Sequence, residues 1–161
     1  MKLEKAIFAC GCFWGAQYQF EHAKGVVRST VGYIGGHKEH PAYEEVKAHT
    51  TGHAEATLVE FDAEQTSFTE LCKLFFEIHD PAQTDGQGPD IGPQYRSEIF
   101  YLNDKQKEEA EAVIALLKEK GYEVNTKLTS ATTFWEGEEY HQHYYDKTGG
   151  EPYCHIRIKK F

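Results

Sequence analysis

One stretch near the N-terminus decides the fold: Lys5-Ala6-Ile7-Phe8-Ala9-Cys10-Gly11-Cys12-Phe13-Trp14-Gly15. Its first part, from Lys5 to Cys10, has the apolar character of a buried strand. Apolar residues then follow helical spacing from Phe13 to Phe20, and Gly25 ends that pattern. The sequence therefore predicts a strand, a turn and a helix, with Cys12 at the joint between them.

A thiol at this joint has a physical reason to be reactive. The unpaired amide groups and the macrodipole of a helix N-terminus stabilise negative charge, and the thiolate is the nucleophilic form of cysteine. Phe13 and Trp14 would supply the walls of an apolar pocket beside it. The alternative is that Cys12 is a structural cysteine and that both rings belong to the core. The short stretch alone leaves both interpretations open.

The composition limits the possible partners and location. The 161 residues suit a single domain, which we predict to span 1–161. A net charge of -9, from 17 basic and 26 acidic residues, argues against nucleic acids and anionic membranes as partners. The apolar run Ala6 to Ala9 is too short for a signal peptide or a membrane span, so we expect a cytoplasmic protein with reduced cysteines.

The remaining patterns predict alternating strands and helices separated by two long loops. Further strands are expected at 26–33, 54–61 and 98–102, an extended segment at 122–134, and helices from 67 to 79, at 104–120 and at 138–147. Cys72 lies on the apolar face of the second predicted helix and is expected in the core. Segments 35–52 and 80–95 lack periodicity, and loops of that length are usually functional.

This order of elements predicts an α+β fold. We expect a two-layer α/β sandwich, in which helices pack on a mixed, mostly antiparallel sheet with a ferredoxin-like core and long irregular loops. Neither a Walker sequence nor a G-x-G-x-x-G motif follows any predicted strand, so nucleotide binding is not expected.

Four polar residues could assist a buried thiol. Tyr43 lies in the first predicted loop, Asp90 and Tyr95 lie in the second, and Glu55 lies in an apolar strand. Desolvation in such a strand would favour the protonated form of Glu55 and make it a candidate general acid. The alternative for Glu55 is a carboxylate on the solvent-facing side of the strand.

Five segments, in order, resemble the peptide-methionine (S)-S-oxide reductases, the methionine sulfoxide reductase A family. They are Gly11-Cys12-Phe13-Trp14-Gly15, Gly32-Tyr33-Ile34-Gly35-Gly36, Thr51-Gly52-His53-Ala54-Glu55, the stretch 87–97 with Asp90 and Tyr95, and Tyr140-His141-Gln142. The resemblance extends from about residue 6 to the C-terminus. It implies thiol-dependent reduction of the S epimer of methionine sulfoxide, free or in proteins, as a repair reaction under oxidative stress.

The resemblance also implies a role for each candidate residue. Cys12 would attack the sulfoxide sulfur, and Glu55 would give a proton to the sulfoxide oxygen. Tyr43 and Tyr95 would donate hydrogen bonds to the same oxygen. Asp90 would organise the site and an ordered water rather than touch sulfur.

The remaining implied roles concern the pocket and the return of the thiol. Phe13 and Trp14 would surround the S-methyl group of the substrate. Cys12 would be left as a sulfenic acid, which Cys154 would resolve to a disulfide that thioredoxin recycles. Cys10 is too close to Cys12 along the chain for an unstrained disulfide and is interpreted as a strand residue.

Two other classes of protein compete with this interpretation. A metal-binding module could use Cys10-x-Cys12, His141-x-His143 and Cys154-His155, although thiol-x-thiol spacing seldom binds one zinc ion and we expect neither a metal nor a cofactor. A Cys–His hydrolase could use Cys12 with one of the nine histidines as its base. Neither class accounts for Glu55, Tyr43 and Tyr95 together.

Overall fold

The first strand and the first helix form where the sequence predicts them. In a computed structural model, which describes residues 1–150, 152 and 155–161, strand β1 spans Leu3–Cys10 and helix α1 spans Phe13–Glu21. Gly11 and Cys12 form the strand–helix joint. Gly11 has φ +96, and a Cβ there would lie 2.8 Å from the Cβ of Gln87, so this turn requires glycine.

The described residues form eight strands, six of which belong to one sheet. The strands are β1, β2 (Val26–Ile34), β3 (Ala54–Asp62), β4 (Gly86–Gln87), β5 (Asp90–Ile91), β6 (Ser97–Tyr101), β7 (Lys127–Ser130) and β8 (Trp135–Glu136). The sheet has the order β7-β6-β1-β3-β2-β8, while β4 and β5 form a separate two-stranded hairpin. Only β6 and β7 pair in parallel in the large sheet, which confirms a mixed, mostly antiparallel α+β fold. The ferredoxin-like detail stays a prediction.

The helices cover one face of this sheet. They are α1, α2 (Tyr43–Lys47), α3 (Phe68–Glu77), α4 (Asp104–Glu119) and α5 (Tyr144–Thr148). Alternate residues of a strand point to opposite faces, and in β1 the buried Phe8 packs in the core that α1, α3 and α4 share. Its neighbour Ile7 packs on the other face, against Ala54 and Phe100. Strand β1 is therefore buried on both faces, as its apolar sequence predicts.

The two longest helices begin at side-chain caps. Ser67 Oγ accepts a hydrogen bond from Glu70 N at 3.1 Å, and Asn103 Oδ1 accepts one from Gln106 N at 2.9 Å. Cys72 is fully buried in α3, so its assignment to the core is confirmed.

Three segments differ from the prediction in a way that bears on the site. The first predicted loop, 35–52, contains α2, and the second, 80–95, contains β4, β5 and a 3-10 turn at Pro93–Tyr95. The predicted helix at 138–147 is interrupted, because His143 has φ 55 and separates a 3-10 turn at Glu139–His141 from α5. A residue in the left-handed region cannot continue a right-handed helix.

Candidate active site

Cys12 lies immediately before the first turn of α1, at its N-cap position. Its side chain is partly accessible, whereas Cys10 and Cys72 are buried. A nine-residue helix follows it, and Ala16 N donates to Cys12 O at 3.4 Å. The end of β1 and the start of α1 thus present this sulfur where the helix favours negative charge.

Glu55 lies beside this joint and is almost completely buried in β3. Its Oε1 accepts a hydrogen bond from Phe13 N, the first amide of α1, at 3.2 Å. Burial raises the pKa of Glu55 to about 8, with the charge of Asp90 adding to the effect and the Phe13 hydrogen bond opposing it. The carboxyl group next to Cys12 is therefore mostly protonated at neutral pH and can act as a proton donor.

Tyr43 and Tyr95 bring two phenols to the same place. Tyr43 is the first residue of α2, and Tyr95 ends the 3-10 turn before β6. Burial raises the pKa of both hydroxyls, and the charges of Glu55 and Cys12 raise each pKa further. Glu55 and Cys12 therefore act electrostatically on both phenols in the folded chain. Both phenols stay protonated and are available as hydrogen-bond donors.

Asp90 reaches the site through the β4–β5 hairpin. It pairs with Gln87 across that hairpin, and Gln87 in turn packs against Gly11 of the strand–helix joint. The charge of Asp90 contributes to the raised pKa values of Glu55 and Tyr95, although burial is the larger cause for both. The segment predicted as an irregular loop therefore carries a carboxylate into the group.

Phe13 and Trp14 enter an aromatic cluster next to the phenols. The Phe13 ring is buried, with its centroid 5.7 Å from that of Tyr33 and 6.5 Å from that of Tyr43. Trp14 is partly accessible and stacks on Tyr144 at 3.8 Å. Phe13 therefore packs in the core, as the alternative interpretation expects, and its ring also lies beside that of Tyr43.

His141 is a residue of this cluster that the sequence analysis considered only as a metal ligand, in the pair His141-x-His143. Its Nδ1 accepts a hydrogen bond from Trp14 Nε1 at 2.9 Å, so the neutral ring carries its proton on Nε2. That Nε2 is buried and has no partner among the described residues. Burial lowers the pKa of His141, and the ring centroid lies 4.3 Å from that of Tyr43. Its place in the motif Tyr140-His141-Gln142 could have indicated that it belongs to the site.

Glu138 is a second residue that the sequence analysis missed. Its two carboxylate oxygens accept hydrogen bonds from Tyr33 Oη at 2.8 Å and from Tyr43 N at 2.9 Å. Burial raises the pKa of Glu138, but these hydrogen bonds outweigh it and hold the pKa below its ordinary value. An ionised carboxylate therefore fixes the start of α2, and with it the position of Tyr43. No local pattern connects residues so far apart along the chain.

The site does not coincide with the cavity of about 590 Å³ between the segments 77–88 and 156–160. Gln87 and Gly88 line that cavity, but Cys12, Glu55 and Tyr95 do not. We place the chemistry at the joint because a partly accessible thiol lies there beside a buried carboxyl group with a raised pKa.

Metal ligands are grouped at one place in the described part of the chain. Ligand atoms of Glu21, His143 and Asp146 lie within 4.8 Å of one another, and His143 Nδ1 is 2.6 Å from Glu21 Oε2. Of the metal ligands suggested by the sequence, this group contains only His143. The contact between His143 and Glu21 has the geometry of an ordinary ion pair.

Cys154 lies outside the described residues, so its predicted place near Cys12 stays a prediction. Among the described helices, none combines the length and apolar character that crossing a membrane requires.

The site contains a cysteine at a helix N-terminus, a protonated carboxyl group and two phenols. Such a group is typical of enzymes that use a thiol nucleophile with general-acid assistance. The comparisons with known proteins specify which one. The family model for peptide methionine sulfoxide reductase matches residues 4–161. The chain belongs to this family, and it is an oxidoreductase that reduces methionine sulfoxide.

Individual relatives agree with the family assignment. The peptide methionine sulfoxide reductase MsrA of Acinetobacter baumannii (strain AYE) is 44% identical over 97% of this chain and 90% of its own length. Mxr1 from Saccharomyces cerevisiae in reduced form is 33% identical, with a TM-score of 0.91 over 97% of this chain and 92% of that one. The structure of Mxr1 in complex with Trx2 has a TM-score of 0.65 at 22% identity, over 99% and 91% of the two chains, and shows the likeness of fold alone.

Proposed function

We propose that this protein reduces the S epimer of methionine sulfoxide through a sulfenic acid on Cys12. One observation carries the proposal: the buried, mostly protonated carboxyl group of Glu55 accepts a hydrogen bond from Phe13 N, immediately beside Cys12. A sulfoxide oxygen needs a proton before it can leave sulfur, and a carboxyl group with a pKa near the working pH is a suitable donor.

The first chemical step transfers oxygen from the substrate to the enzyme. The Cys12 thiolate attacks the sulfoxide sulfur and forms an S–S bond with it while Glu55 gives its proton to the oxygen. The hydroxyl group then passes to Cys12 Sγ, where a new S–O bond forms as the S–O bond of the substrate and the S–S bond break. The products are methionine and Cys12 sulfenic acid. The substrate sulfur gains two electrons, and Cys12 Sγ loses two.

Tyr43 and Tyr95 stabilise the oxygen during this step. Their raised pKa values keep both hydroxyls protonated, so each can donate a hydrogen bond as negative charge develops. One preorganised donor of this kind is worth roughly 3 kcal/mol of transition-state stabilisation. Asp90 supports the arrangement through its charge and through the hairpin that holds Gln87 against Gly11.

Phe13 and Trp14 bind the methyl group of the substrate. A small apolar group contributes only about 1 to 3 kcal/mol of discrimination, so these rings position the sulfoxide rather than bind it tightly. The cluster with Tyr43 and His141 supports both rings at this position.

A second thiol completes the cycle. We propose that Cys154 attacks Cys12 sulfenic acid, which forms the S–S bond, breaks the S–O bond and releases water. A thioredoxin then reduces the disulfide by thiol–disulfide exchange and becomes oxidised itself. The existence of a complex between the relative Mxr1 and Trx2 supports this choice of partner.

Several coarser expectations belong to the same proposal. We infer a single domain over 1–161, a cytoplasmic location and a role in repairing oxidised proteins. We also infer a ferredoxin-like core. Apart from α2 and the β4–β5 hairpin, which are inserted between its elements, β1, α1, β2, β3, α3 and β6 have the order βαββαβ, and four of their strands lie side by side as β6-β1-β3-β2.

Mass spectrometry after one equivalent of the S epimer tests the mechanism. The wild type should yield one methionine and a Cys12–Cys154 disulfide. Cys154→Ser should yield the same methionine and retain a sulfenic acid on Cys12. If Cys154→Ser turns over repeatedly with thioredoxin at the normal rate, Cys154 is not the resolving thiol. If the R epimer reacts as fast as the S epimer, the assignment of stereochemistry is wrong.

A further inference from the structure

The chain immediately after position 154 is attached to the strand–helix joint that carries Cys12. His155 is fully buried, and its Nε2 lies 2.7 Å from the carbonyl oxygen of Cys10. A carbonyl group only accepts, so Nε2 is the donor. The carbonyl oxygen of His155 accepts from Gln19 Nε2 at 2.5 Å. Cys10 ends β1 and Gln19 lies in α1, so His155 is bound to both elements that meet at Cys12.

The packing around His155 fixes its ring in one orientation. A Cβ at Gly15 would lie 2.3 Å from His155 Nδ1, so the ring needs the space that this glycine leaves. Nδ1 is buried and has no hydrogen-bond partner among the described residues. A buried polar atom without a partner is costly, and the sulfoxide chemistry proposed above makes no use of it.

A second attachment lies a few residues further on, at the end of α3. Glu77 is 2% exposed, and its Oε1 accepts from Arg157 Nε at 2.9 Å. Its Oε2 accepts from Lys160 N at 2.9 Å, and its backbone oxygen accepts from Ile158 N at 2.7 Å. One buried glutamate therefore satisfies three residues of the C-terminal segment 155–161.

Lys160 adds a third contact to the same helix end. Its Nζ donates to Phe76 O at 2.6 Å and lies 3.3 Å from His79 O. A cation at the last carbonyl groups of a helix interacts favourably with the helix dipole. The C-terminal segment is thus bound by directional hydrogen bonds at both of its ends, and not only by apolar contact.

We propose that His155 and Glu77 are positioning residues for disulfide formation. They hold the residue that follows Cys154 at the strand–helix joint, and so raise the rate at which the Cys154 thiolate attacks Cys12 sulfenic acid. In that step the S–S bond forms and the S–O bond breaks. Hydroxide leaves and becomes water with the proton that the Cys154 thiol released when it ionised. The inference rests on the proposed function, because it assumes that Cys154 is the resolving thiol.

Effective concentration is the physical basis of this role. A thiol on an unattached chain end samples a large volume, whereas a thiol beside a fixed residue stays close to its target. Reduction of the substrate precedes this encounter and does not need the segment. The two steps should therefore respond differently when an attachment is removed.

The experiment measures both steps in the full-length protein. Each variant is mixed with one equivalent of the S epimer, methionine is quantified by rapid quench, and thiols are trapped by alkylation for mass spectrometry. We compare Glu77→Gln with Glu60→Gln, a matched control whose carboxylate accepts from Arg28 Nε at 2.5 Å and does not contact the segment. We also compare His155→Leu, which lacks the donor, with His155→Gln, which retains an N–H group.

Disulfide formation should slow by about tenfold in Glu77→Gln and in His155→Leu, with methionine formation within about twofold of the wild type. Glu60→Gln should behave as the wild type, and His155→Gln should recover part of the lost rate. The proposal is wrong if disulfide formation is unchanged in both variants, or if both steps slow together. Should Glu77→Gln or His155→Leu fail to fold, Arg157→Gln on the exposed side of the Glu77 contact gives the same test. A wild type that forms methionine but no Cys12–Cys154 disulfide would instead contradict the proposed function.

Discussion

Two buried carboxyl groups in this protein have opposite protonation. Glu55 at the strand–helix joint and Glu77 under the C-terminal segment are 1% and 2% exposed. Burial raises the pKa of Glu55 to about 8, and one backbone hydrogen bond does not offset it. Burial also raises the pKa of Glu77, but Lys160 N and the Arg157 guanidinium outweigh it and hold that pKa below its ordinary value.

The comparison teaches that burial alone does not determine what a carboxyl group does. The number and charge of the donors around it decide whether it keeps its proton. A carboxyl group with few donors becomes an acid that can protonate a substrate. A carboxylate surrounded by cations and amides becomes an attachment point for the chain.

The largest expected effect isolates the region that performs the chemistry. Cys12→Ser should lower methionine formation by at least about 10³-fold, because a hydroxyl cannot replace the thiolate nucleophile. Methionine released from the S epimer, with dithiothreitol as reductant, measures the effect. Cys72→Ala, which changes a buried core thiol, should retain activity. If Cys12→Ser remains active, the strand–helix joint is not the place where the chemistry occurs.

Replacing the neutral carboxyl group should be nearly as damaging. Glu55→Gln keeps the shape of the side chain and loses the acidic proton, so the first-turnover rate should fall by about 10² to 10³-fold. The rate of the wild type should also decline as the pH rises above about 8, where Glu55 becomes ionised. Rapid-quench measurements between pH 6 and pH 9 test both statements. A Glu55→Gln rate within threefold of the wild type would contradict the assignment of the acid.

The stability of the protein should depend on pH with opposite signs at the two groups. Glu55 takes up a proton more readily in the folded state, so its contribution is complete below the unfolded pKa and is lost as the pH rises towards about 8. The free energy of unfolding of the wild type relative to Glu55→Gln should thus fall by about 1.4 kcal/mol per unit between pH 5 and pH 7. Urea unfolding at several pH values measures this slope.

Glu77 should give the reverse result in the acid range. Its pKa is lowered in the folded state, so its contribution is present above the unfolded pKa and is lost as the pH falls through the lowered folded pKa. The difference between the wild type and Glu77→Gln should therefore shrink from pH 6 to pH 3. Parallel slopes for Glu55→Gln and Glu77→Gln would mean that the two carboxyl groups do not differ as described.

The smallest effect concerns stability at neutral pH. Glu77→Gln should lower the free energy of unfolding by about 2 kcal/mol, because hydrogen bonds to a charged group are lost while the half-exposed Arg157 can regain water. Glu55→Gln should instead raise it, because the wild type must take up a proton at Glu55 when it folds at pH 7, whereas the neutral amide does not. Urea unfolding at pH 7 compares them, and a loss of stability in Glu55→Gln would contradict the comparison.

The sequence predicts the long elements well because each spans several periods of its pattern. Strand β1, the helices α3 and α4, and the joint at Cys12 follow from local apolar spacing and capping residues. The five-residue helix α2 and the two-residue strands β4 and β5 are too short for a period. The interruption at His143 has no signal, because histidine carries no general preference for a left-handed conformation strong enough to predict it.

The sequence likewise predicts some residues of the site and misses others. Cys12 follows from the local sequence, and Glu55 becomes a candidate acid only because that thiol is present. Tyr43, Tyr95 and Asp90 are candidates from their positions in the chain, but their roles follow only from the family resemblance. Glu138 was missed, since its hydrogen bonds join residues 95 and 105 positions apart. Contacts over such distances arise from the packing of the whole sheet, which no window of sequence contains.

Strand β1, enclosed between β3 and β6 and buried on both faces, has a consequence for quality control of the enzyme itself. The sulfur at its end acquires its acidic neighbour only when the centre of the sheet is assembled. A chain that loses this centre also separates Cys12 from Glu55, so partial unfolding of the sheet should abolish the chemistry together with the packing.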